Sequence, residues 1–277
     1  PGITSEDAID LNHLMQTSYE MVKAQFHLQP SRFYLAGYSM GAFHALKMAE
    51  QDYQLEKPFE KYLLLNSPVD LIYGIGSLDR MSGRATELSI WEKSESLAMI
   101  VGAGARLKVR DINSPDYYND LDWWFGLETR KLEYVIGVIM SSCVADTLLM
   151  ANEIGDHKVL TGSNYYARFL ESRKWYIADY MKAMVFPRLI EKAQQEGVTF
   201  EAMLARETDV RTWKVPAKNL ERVRYLNNED DFITEPQQLK DAQSIFGEGA
   251  VIFPAGGHMG NIWYPANVNL IKNELAL

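Results

Sequence analysis

Four short apolar segments in the chain have the length and composition of buried β-strands. They are residues 33–36, 62–65, 220–226 and 250–253, of which the third alternates apolar and polar residues and the others are almost continuously apolar. Continuous apolar runs are typical of parallel strands that helices cover on both faces. We therefore predict an α/β fold in which these strands form part of a doubly wound parallel sheet.

A long stretch, residues 71–218, separates the second predicted strand from the third. Strands of a parallel sheet are normally joined by one helix and short connections, so a stretch this long must form a layer or subdomain of its own. Its apolar spacing is mainly helical, with long helices predicted over 127–150 and 165–193. We predict a core made of residues 1–70 and 219–277, with the long stretch inserted as a helical cap.

The composition indicates a globular protein with enough apolar material for a sizeable core. Of the 277 residues, 47% are hydrophobic and 12% are aromatic, unlike the polar composition of a disordered chain. Asp and Glu outnumber Lys and Arg by 37 to 28, and the formal net charge is −9. Because phosphate binding needs clustered cations and no basic run is present, we do not expect a nucleic-acid partner.

The most specific motif is Gly37-Tyr38-Ser39-Met40-Gly41, which lies between the first predicted strand and a helical pattern beginning at Ala42. In a G-x-S-x-G turn, both glycines remove Cβ atoms that would clash, and the serine is exposed on a strained backbone at a helix N-terminus. Free N–H groups at that end can bind a developing oxyanion. The motif predicts a nucleophile at Ser39, and an ordinary serine N-cap is the non-catalytic interpretation.

An acid and then a histidine follow the serine, in the order that this motif requires. Asp230 and Asp231 come after the third predicted strand, and His258 lies in the glycine-rich segment 254–260 after the fourth. A histidine among glycines has no apolar core to pack into. Taken without their neighbours, the two aspartates would fit a solvated turn, and the histidine would fit an ordinary loop.

Ser39, the aspartate pair and His258 resemble the catalytic triad of the α/β-hydrolase superfamily, and the likeness covers residues 5–70 and 219–277. The resemblance implies that the histidine accepts the serine proton and that an aspartate orients the imidazole. It also implies that the backbone N–H of Met40, the residue after the nucleophile, donates to the oxyanion.

The same resemblance decides between the two aspartates. In that family the acid usually precedes one variable residue and two apolar residues. Asp230, followed by Asp231, Phe232 and Ile233, fits this spacing and is the predicted acid. An alignment shifted by one residue selects Asp231, which stays as the alternative.

The beginning of the chain departs from the family, in which several strands and a loop with a second oxyanion N–H precede the nucleophile. Here only one helix, with Ser5 as its N-cap, is predicted before strand 33–36. That strand, apolar on both faces, would become a sheet edge with unpaired backbone groups. We therefore expect a segment upstream of Pro1, or a partner chain, to pair with it and carry the second donor; the alternative donors are the glycine-containing stretches 74–76 and 102–104.

Cys143 is the only cysteine, which excludes an intrachain disulfide and a cysteine-based metal site. It lies in an apolar run, residues 135–150, and is predicted to be buried. No stretch approaches the roughly 20 apolar residues of a membrane span, so we predict a soluble protein without a transmembrane segment. The sequence leaves the compartment open between cytoplasm and periplasm or export. No metal and no cofactor are expected.

The function implied by the resemblance is serine hydrolysis through an acyl-enzyme, on a carboxylic ester or thioester with an apolar acyl group. The apolar acyl group is suggested by aromatic clusters in the cap, which would line a path for substrate or else pack the cap's own core. These clusters are Tyr117-Tyr118, Trp123-Trp124-Phe125, Tyr165-Tyr166 and Trp175-Tyr176. Two alternatives remain: a serine aminopeptidase or amidase, and a non-catalytic hydrolase-like module used for binding or assembly.

Overall fold

The computed structural model of the chain describes residues 2–109, 129–155, 158–262 and 264–275, and the structural statements below concern these residues. Its contacts divide the chain into two compact units. One unit contains Pro1–Gly74 and Val185–Leu277, and the other contains Ile75–Met184.

Four strands form one parallel sheet in the first unit. They are β1 (Tyr34–Tyr38), β2 (Lys61–Leu65), β3 (Val223–Asn228) and β4 (Ala250–Phe253), and they lie side by side in chain order. The α/β prediction is confirmed. The third strand begins later than predicted because residues 217–220 form a short helix before it.

Helices account for most of the remaining described residues. In chain order they are α1 (Thr4–Phe26), α2 (Met40–Glu50), α3 (Leu71–Gly83), α4 (Ile90–Val109), α5 (Thr129–Ile154), α6 (Tyr165–Ser172), α7 (Ile177–Tyr180), α8 (Phe186–Glu196), α9 (Phe200–Thr208), α10 (Ala217–Leu220), α11 (Pro236–Phe246) and α12 (Pro265–Glu274).

The core of the first unit lies between the sheet and its helices. Phe43 and Leu46 of α2 are fully buried, as are Leu64 of β2 and, to within 1% exposure, Tyr225 of β3. Fixing these side chains in the interior removes apolar area from water, which is the main source of stability in such a layer. Because the strands are packed into this core, their carboxyl ends and the residues that follow them have fixed positions.

Helices α8 and α9 belong to the same compact unit as the sheet, although they lie within the predicted insertion 71–218. Lys192 of α8 donates to the Ser5 hydroxyl at 2.8 Å, and Glu207 of α9 accepts from the Ser5 N–H and hydroxyl, each at 2.8 Å. These bonds to α1 explain why the unit boundary falls near residue 185 rather than at 219.

Helix α1 is found where it was predicted, but it starts differently. It follows Ile3 with no side-chain cap, so Ser5 is inside the first turn rather than at the N-cap. The Ser5 hydroxyl is committed to Glu207 instead. The prediction of a serine cap was wrong because a distant carboxylate, which the local pattern does not show, competes for that hydroxyl.

The helix predicted over 165–193 is broken into α6, α7 and α8, with a π-helical turn, Met181–Val185, before the last of them. Asp79 supplies a start signal for α7, since its carboxylate accepts from the N–H groups of Ile177 and Ala178 at 2.9 Å each. The apolar spacing continued across these breaks and so concealed them.

The second unit has a buried apolar cluster of its own between α5 and the turn that precedes α4. Leu88, Tyr134 and Val135 form a buried cluster. Gly137 lets α5 approach α3 closely, because a Cβ there would lie 2.5 Å from the Ser82 backbone. The predicted role of the second unit as a cap over the site is not tested by these contacts and stays a prediction.

Cys143 is exposed on α5, which corrects the prediction that it is buried. The buried residues of this part of the helix include Ala145 and Leu149. Two residues along a helix correspond to a turn of about 200°, so Cys143 points to the side opposite Ala145.

Helix α5 is also long and apolar enough to cross a membrane, with a mean hydropathy of 1.8 over an 18-residue window. The prediction that no stretch approaches this length and composition is wrong for this helix. It is the one candidate among the described helices, and 33% of that window is buried. A single such helix is weak evidence for a span, because core helices meet the same criterion.

Candidate active site

Ser39 occupies a sharp turn between β1 and α2. Its backbone has φ 50° and ψ −124°, in a region that a residue with a side chain rarely adopts and that stores strain. Its N–H extends the pairing of β1 with β2 by donating to the Leu65 carbonyl at 2.8 Å, and its carbonyl accepts from Ala42 and Phe43 at 3.1 Å each. The strand on one side and the helix on the other therefore determine its conformation.

The two glycines of the motif are not equivalent. A Cβ at Gly37 would lie 2.4 Å from the Gly41 carbonyl oxygen, so only glycine fits there without backbone movement. A Cβ at Gly41 would have nothing within 4 Å. The expectation that both glycines relieve a clash is thus confirmed for Gly37 and wrong for Gly41, where α2 opens into free space.

His258 follows β4 and contacts both Ser39 and Asp231. Its Nε2 lies 2.9 Å from the Ser39 hydroxyl oxygen, and its Nδ1 lies 3.0 and 3.1 Å from the two carboxylate oxygens of Asp231. An ionised carboxylate can only accept, so Nδ1 carries the proton and Nε2 accepts from the serine hydroxyl. Gly257, with φ 56°, provides the left-handed turn that brings the histidine to this position.

The aspartate facing His258 is Asp231, and the prediction of Asp230 was wrong by one residue. The Asp231 N–H donates to the Asn228 carbonyl at 3.2 Å, closing a turn at the end of β3. That turn directs Asp231 inward, where its side chain is 0% exposed. Asp230 sits at the outer corner, is exposed, and accepts from the Gly257 N–H at 2.7 Å. The spacing rule that selected Asp230 takes no account of this turn.

Buried asparagines surround the Asp231–His258 pair. Asn66 donates to the Asp231 carboxylate at 2.9 Å, Asn228 donates to the Gly257 carbonyl at 2.7 Å, and Asn261 donates to the Asn228 side chain at 2.6 Å. All three asparagines are at most 6% exposed. Such a network is expected to hold loops firmly, because each buried polar group has a partner.

Sequence reasoning did not identify these asparagines. For Asn66 and Asn228 the available signal was their place at the end of an apolar strand: Asn66 follows Leu65, and Asn227 and Asn228 end β3. Polar side chains at the carboxyl ends of parallel strands meet along one edge of the sheet, which is where ligands and reacting groups lie in open α/β folds.

One candidate oxyanion donor is in place. The N–H of Met40 is at the first position of α2, where a helix has no partner for its N–H groups. The predicted alternatives for a second donor are not loops: residues 74–76 lie within α3, where Gly74 donates to the Asp70 carbonyl at 3.2 Å, and residues 102–104 lie within α4. Their N–H groups therefore serve the helices.

The aromatic clusters are only partly described. Tyr117-Tyr118 and Trp123-Trp124-Phe125 lie outside the described residues. Tyr165 and Tyr166 are 59% and 67% exposed, and Tyr166 stacks on Phe169. These two tyrosines are surface residues of the second unit, so for them the alternative of core packing is wrong.

Comparison with protein-family models, with curated proteins and with solved structures gave no significant match for this chain.

Proposed function

We propose that this chain is a serine hydrolase of the α/β-hydrolase type, which acts through an acyl-enzyme. The observation that carries the proposal is the continuous hydrogen-bond relay from the Ser39 hydroxyl through His258 to the Asp231 carboxylate, at 2.9 and 3.0 Å. Three residues more than 25 positions apart in sequence meet there with the geometry that nucleophilic catalysis requires.

The chemistry follows from the roles of these groups. The Ser39 oxygen attacks the carbonyl carbon while its proton moves to Nε2 of His258, and Asp231 stabilises the imidazolium. The imidazolium then protonates the leaving oxygen as the carbonyl reforms, which leaves the acyl group on the serine. A water molecule, deprotonated by the same histidine, releases the acid and restores the serine.

An ester or thioester with an apolar acyl group is the proposed substrate class. Tyr38 and Met40 flank the nucleophile and are 61% and 42% exposed. Large apolar side chains beside the reacting atom favour an apolar group over a charged one. An aminopeptidase or amidase would use the same relay, and parallel assays with ester and anilide substrates of one acyl group distinguish the two.

A non-catalytic module is the second candidate, and one observation favours it. No strand of the described chain pairs with the outer side of β1, and Met40 supplies the one oxyanion donor identified next to Ser39. Loss of one donor typically lowers the rate by about 10² to 10³. A module with this relay but little turnover would bind through the open strand edge.

A fluorophosphonate probe tests the proposal, because it labels a serine only when that serine is activated. We expect the parent chain to be labelled, Ser39→Ala and His258→Ala to remain unlabelled, and Ser244→Ala, an exposed serine on α11, to be labelled as the parent is. Both catalytic variants should also lose ester hydrolysis while keeping their thermal unfolding midpoints within a few degrees. Absence of labelling in the parent, or labelling that persists without Ser39, would overturn the proposal.

A further inference from the structure

Asn66 lies at the carboxyl end of β2 and contacts both the Asp231 carboxylate and the backbone just before His258. Its Nδ2 is 2.9 Å from an Asp231 carboxylate oxygen and 3.3 Å from the carbonyl oxygen of Gly257, the residue before the histidine. A third acceptor, the side-chain oxygen of Asn227, is 3.1 Å away. The carboxylate and the carbonyl can only accept, so the NH₂ group of Asn66 faces them.

We propose that Asn66 is a positioning residue, which uses its side-chain N–H groups to fix the Asp231 carboxylate against His258. This inference rests on the proposed function for its catalytic meaning, but the geometric role stands on the contacts themselves. One nitrogen ties the acid to the backbone that carries the histidine, and so sets the distance between them.

The surroundings of Asp231 show why such a donor matters. Its side chain is 0% exposed, and among the described ion pairs its one partner is His258. Among the described residues, the remaining donors are the Ile233 N–H at 3.1 Å and the Asn66 amide. A buried carboxylate without a fixed cation depends on such dipoles, because losing a donor leaves a desolvated oxygen without compensation.

The backbone of Asn66 explains why asparagine is suited to this place. Its φ is 48°, in the left-handed region, while its N–H continues the pairing of β2 with β3 by donating to the Leu226 carbonyl at 2.7 Å. Glycine, asparagine and aspartate adopt this conformation most readily. Of these three, only asparagine places an N–H donor under the acid.

Two substitutions separate the donor role from a role in shape. Asn66→Asp keeps the size and the backbone preference but replaces the donors with a second carboxylate next to Asp231. Asn66→Gly keeps the backbone free to turn and removes the side chain. If Asn66 acts as a donor, aspartate is at least as harmful as glycine. If Asn66 acts only through its shape, glycine is more harmful than aspartate.

The experiment measures kcat and KM with a p-nitrophenyl butyrate substrate, together with the low-field NMR signal of the His258 Nδ1 proton, which His258→Ala identifies by its loss. We expect Asn66→Asp to lower kcat about 10²-fold, the cost typical of a small misplacement of reacting groups, with KM changed less than about twofold. The proton signal should be lost or shifted. Asn164→Asp makes the same change at the exposed N-cap of α6, where aspartate caps equally well, and should behave as the parent does.

The outcomes are distinguishable. Parent-like turnover and an unchanged proton signal in Asn66→Asp would overturn the inference. If the parent shows the signal but hydrolyses no ester, a shifted signal in Asn66→Asp supports the positioning role while the proposed function fails. Should the aspartate variant fail to fold, Asn66→Gly takes its place, and a parent-like signal and rate in that variant would overturn the inference.

Discussion

The two halves of the candidate site are built differently. The acid–histidine half consists of the residues that follow β2, β3 and β4, and it is closed by buried side chains: Asn66, Asn228, Asp231 and Asn261 are at most 6% exposed. The nucleophile half consists of β1, the Ser39 turn and the start of α2. There Ala36, Tyr38 and Met40 are all exposed.

Helix α1, which precedes β1, is also largely exposed to solvent. Beyond Ala8, no residue of α1 is buried, although the helix carries many large apolar side chains. Those that are exposed are Ile9, Leu14, Met21, Val22 and Phe26. Exposed apolar helix residues and an apolar strand edge in one unit are typical of surfaces that another polypeptide covers.

The two halves therefore differ in how completely the described chain itself builds them. The described chain itself supplies hydrogen-bond partners that orient Asp231 and His258. Next to Ser39 it supplies one candidate oxyanion donor and leaves one edge of β1 without a partner strand among the described residues. The predicted upstream segment or partner chain, which would pair with β1 and add a second donor, stays a prediction.

The largest expected effect tests the closed half. Asp231→Asn should lower kcat by about 10⁴, since the amide cannot hold the imidazole in the required tautomer. Asp230→Asn is the matched control: its carboxylate is exposed and, within the described part of the chain, bonds the Gly257 N–H alone, so a loss of less than about tenfold is expected from the weakened turn. Steady-state hydrolysis of one ester by both variants measures the difference. Equal losses would mean that the two aspartates share the role.

An intermediate effect tests the strained turn of the nucleophile half. Gly37→Ala should lower the free energy of unfolding by about 2–3 kcal/mol, because a Cβ there overlaps backbone atoms that can move only together with α2. Gly41→Ala should instead raise it by about 0.5–1 kcal/mol, as alanine for glycine does in an unobstructed helix. Urea unfolding of the two variants gives both values. Similar values for both would contradict the asymmetry described for this turn.

The smallest effect on stability, and the most direct test of the open half, comes from the edge of the sheet. Ala36→Lys places a charge on the exposed side of β1 and should change the free energy of unfolding by less than about 0.5 kcal/mol. It should also reduce self-association, because a charged edge no longer templates strand pairing. Sedimentation over a range of concentrations compares it with the parent and with Gln243→Lys on α11. If the parent stays monomeric at all concentrations, the edge of β1 does not mediate self-association.

Part of this picture could be predicted from the sequence. Short segments with continuous or alternating apolar residues located all four strands, and the G-x-S-x-G motif, with its strand and helix, located Ser39 and its strained turn. His258 was found because a histidine among glycines has no packing role. In each case the signal lay within a few neighbouring residues, where steric and hydrophobic rules act directly.

Other features depend on contacts between distant segments and left no local signal. The choice of Asp231 over Asp230 follows from a turn closed on Asn228, and Asn66 gained its role from a loop almost 200 positions away. Cys143 lies in an apolar run but on the uncovered side of its helix. The local pattern gave the residue types correctly, and tertiary contacts decided which of them became partners.

The buried asparagines also connect the proposed activity to the chemical ageing of the protein. Side-chain amides hydrolyse slowly on heating, and asparagine is among the residues that limit the lifetime of proteins at high temperature. Hydrolysis at Asn66 would create an aspartate next to Asp231, the same arrangement as in Asn66→Asp. A heated sample would then lose turnover while remaining folded, and mass spectrometry would find the change in the peptide that contains residue 66.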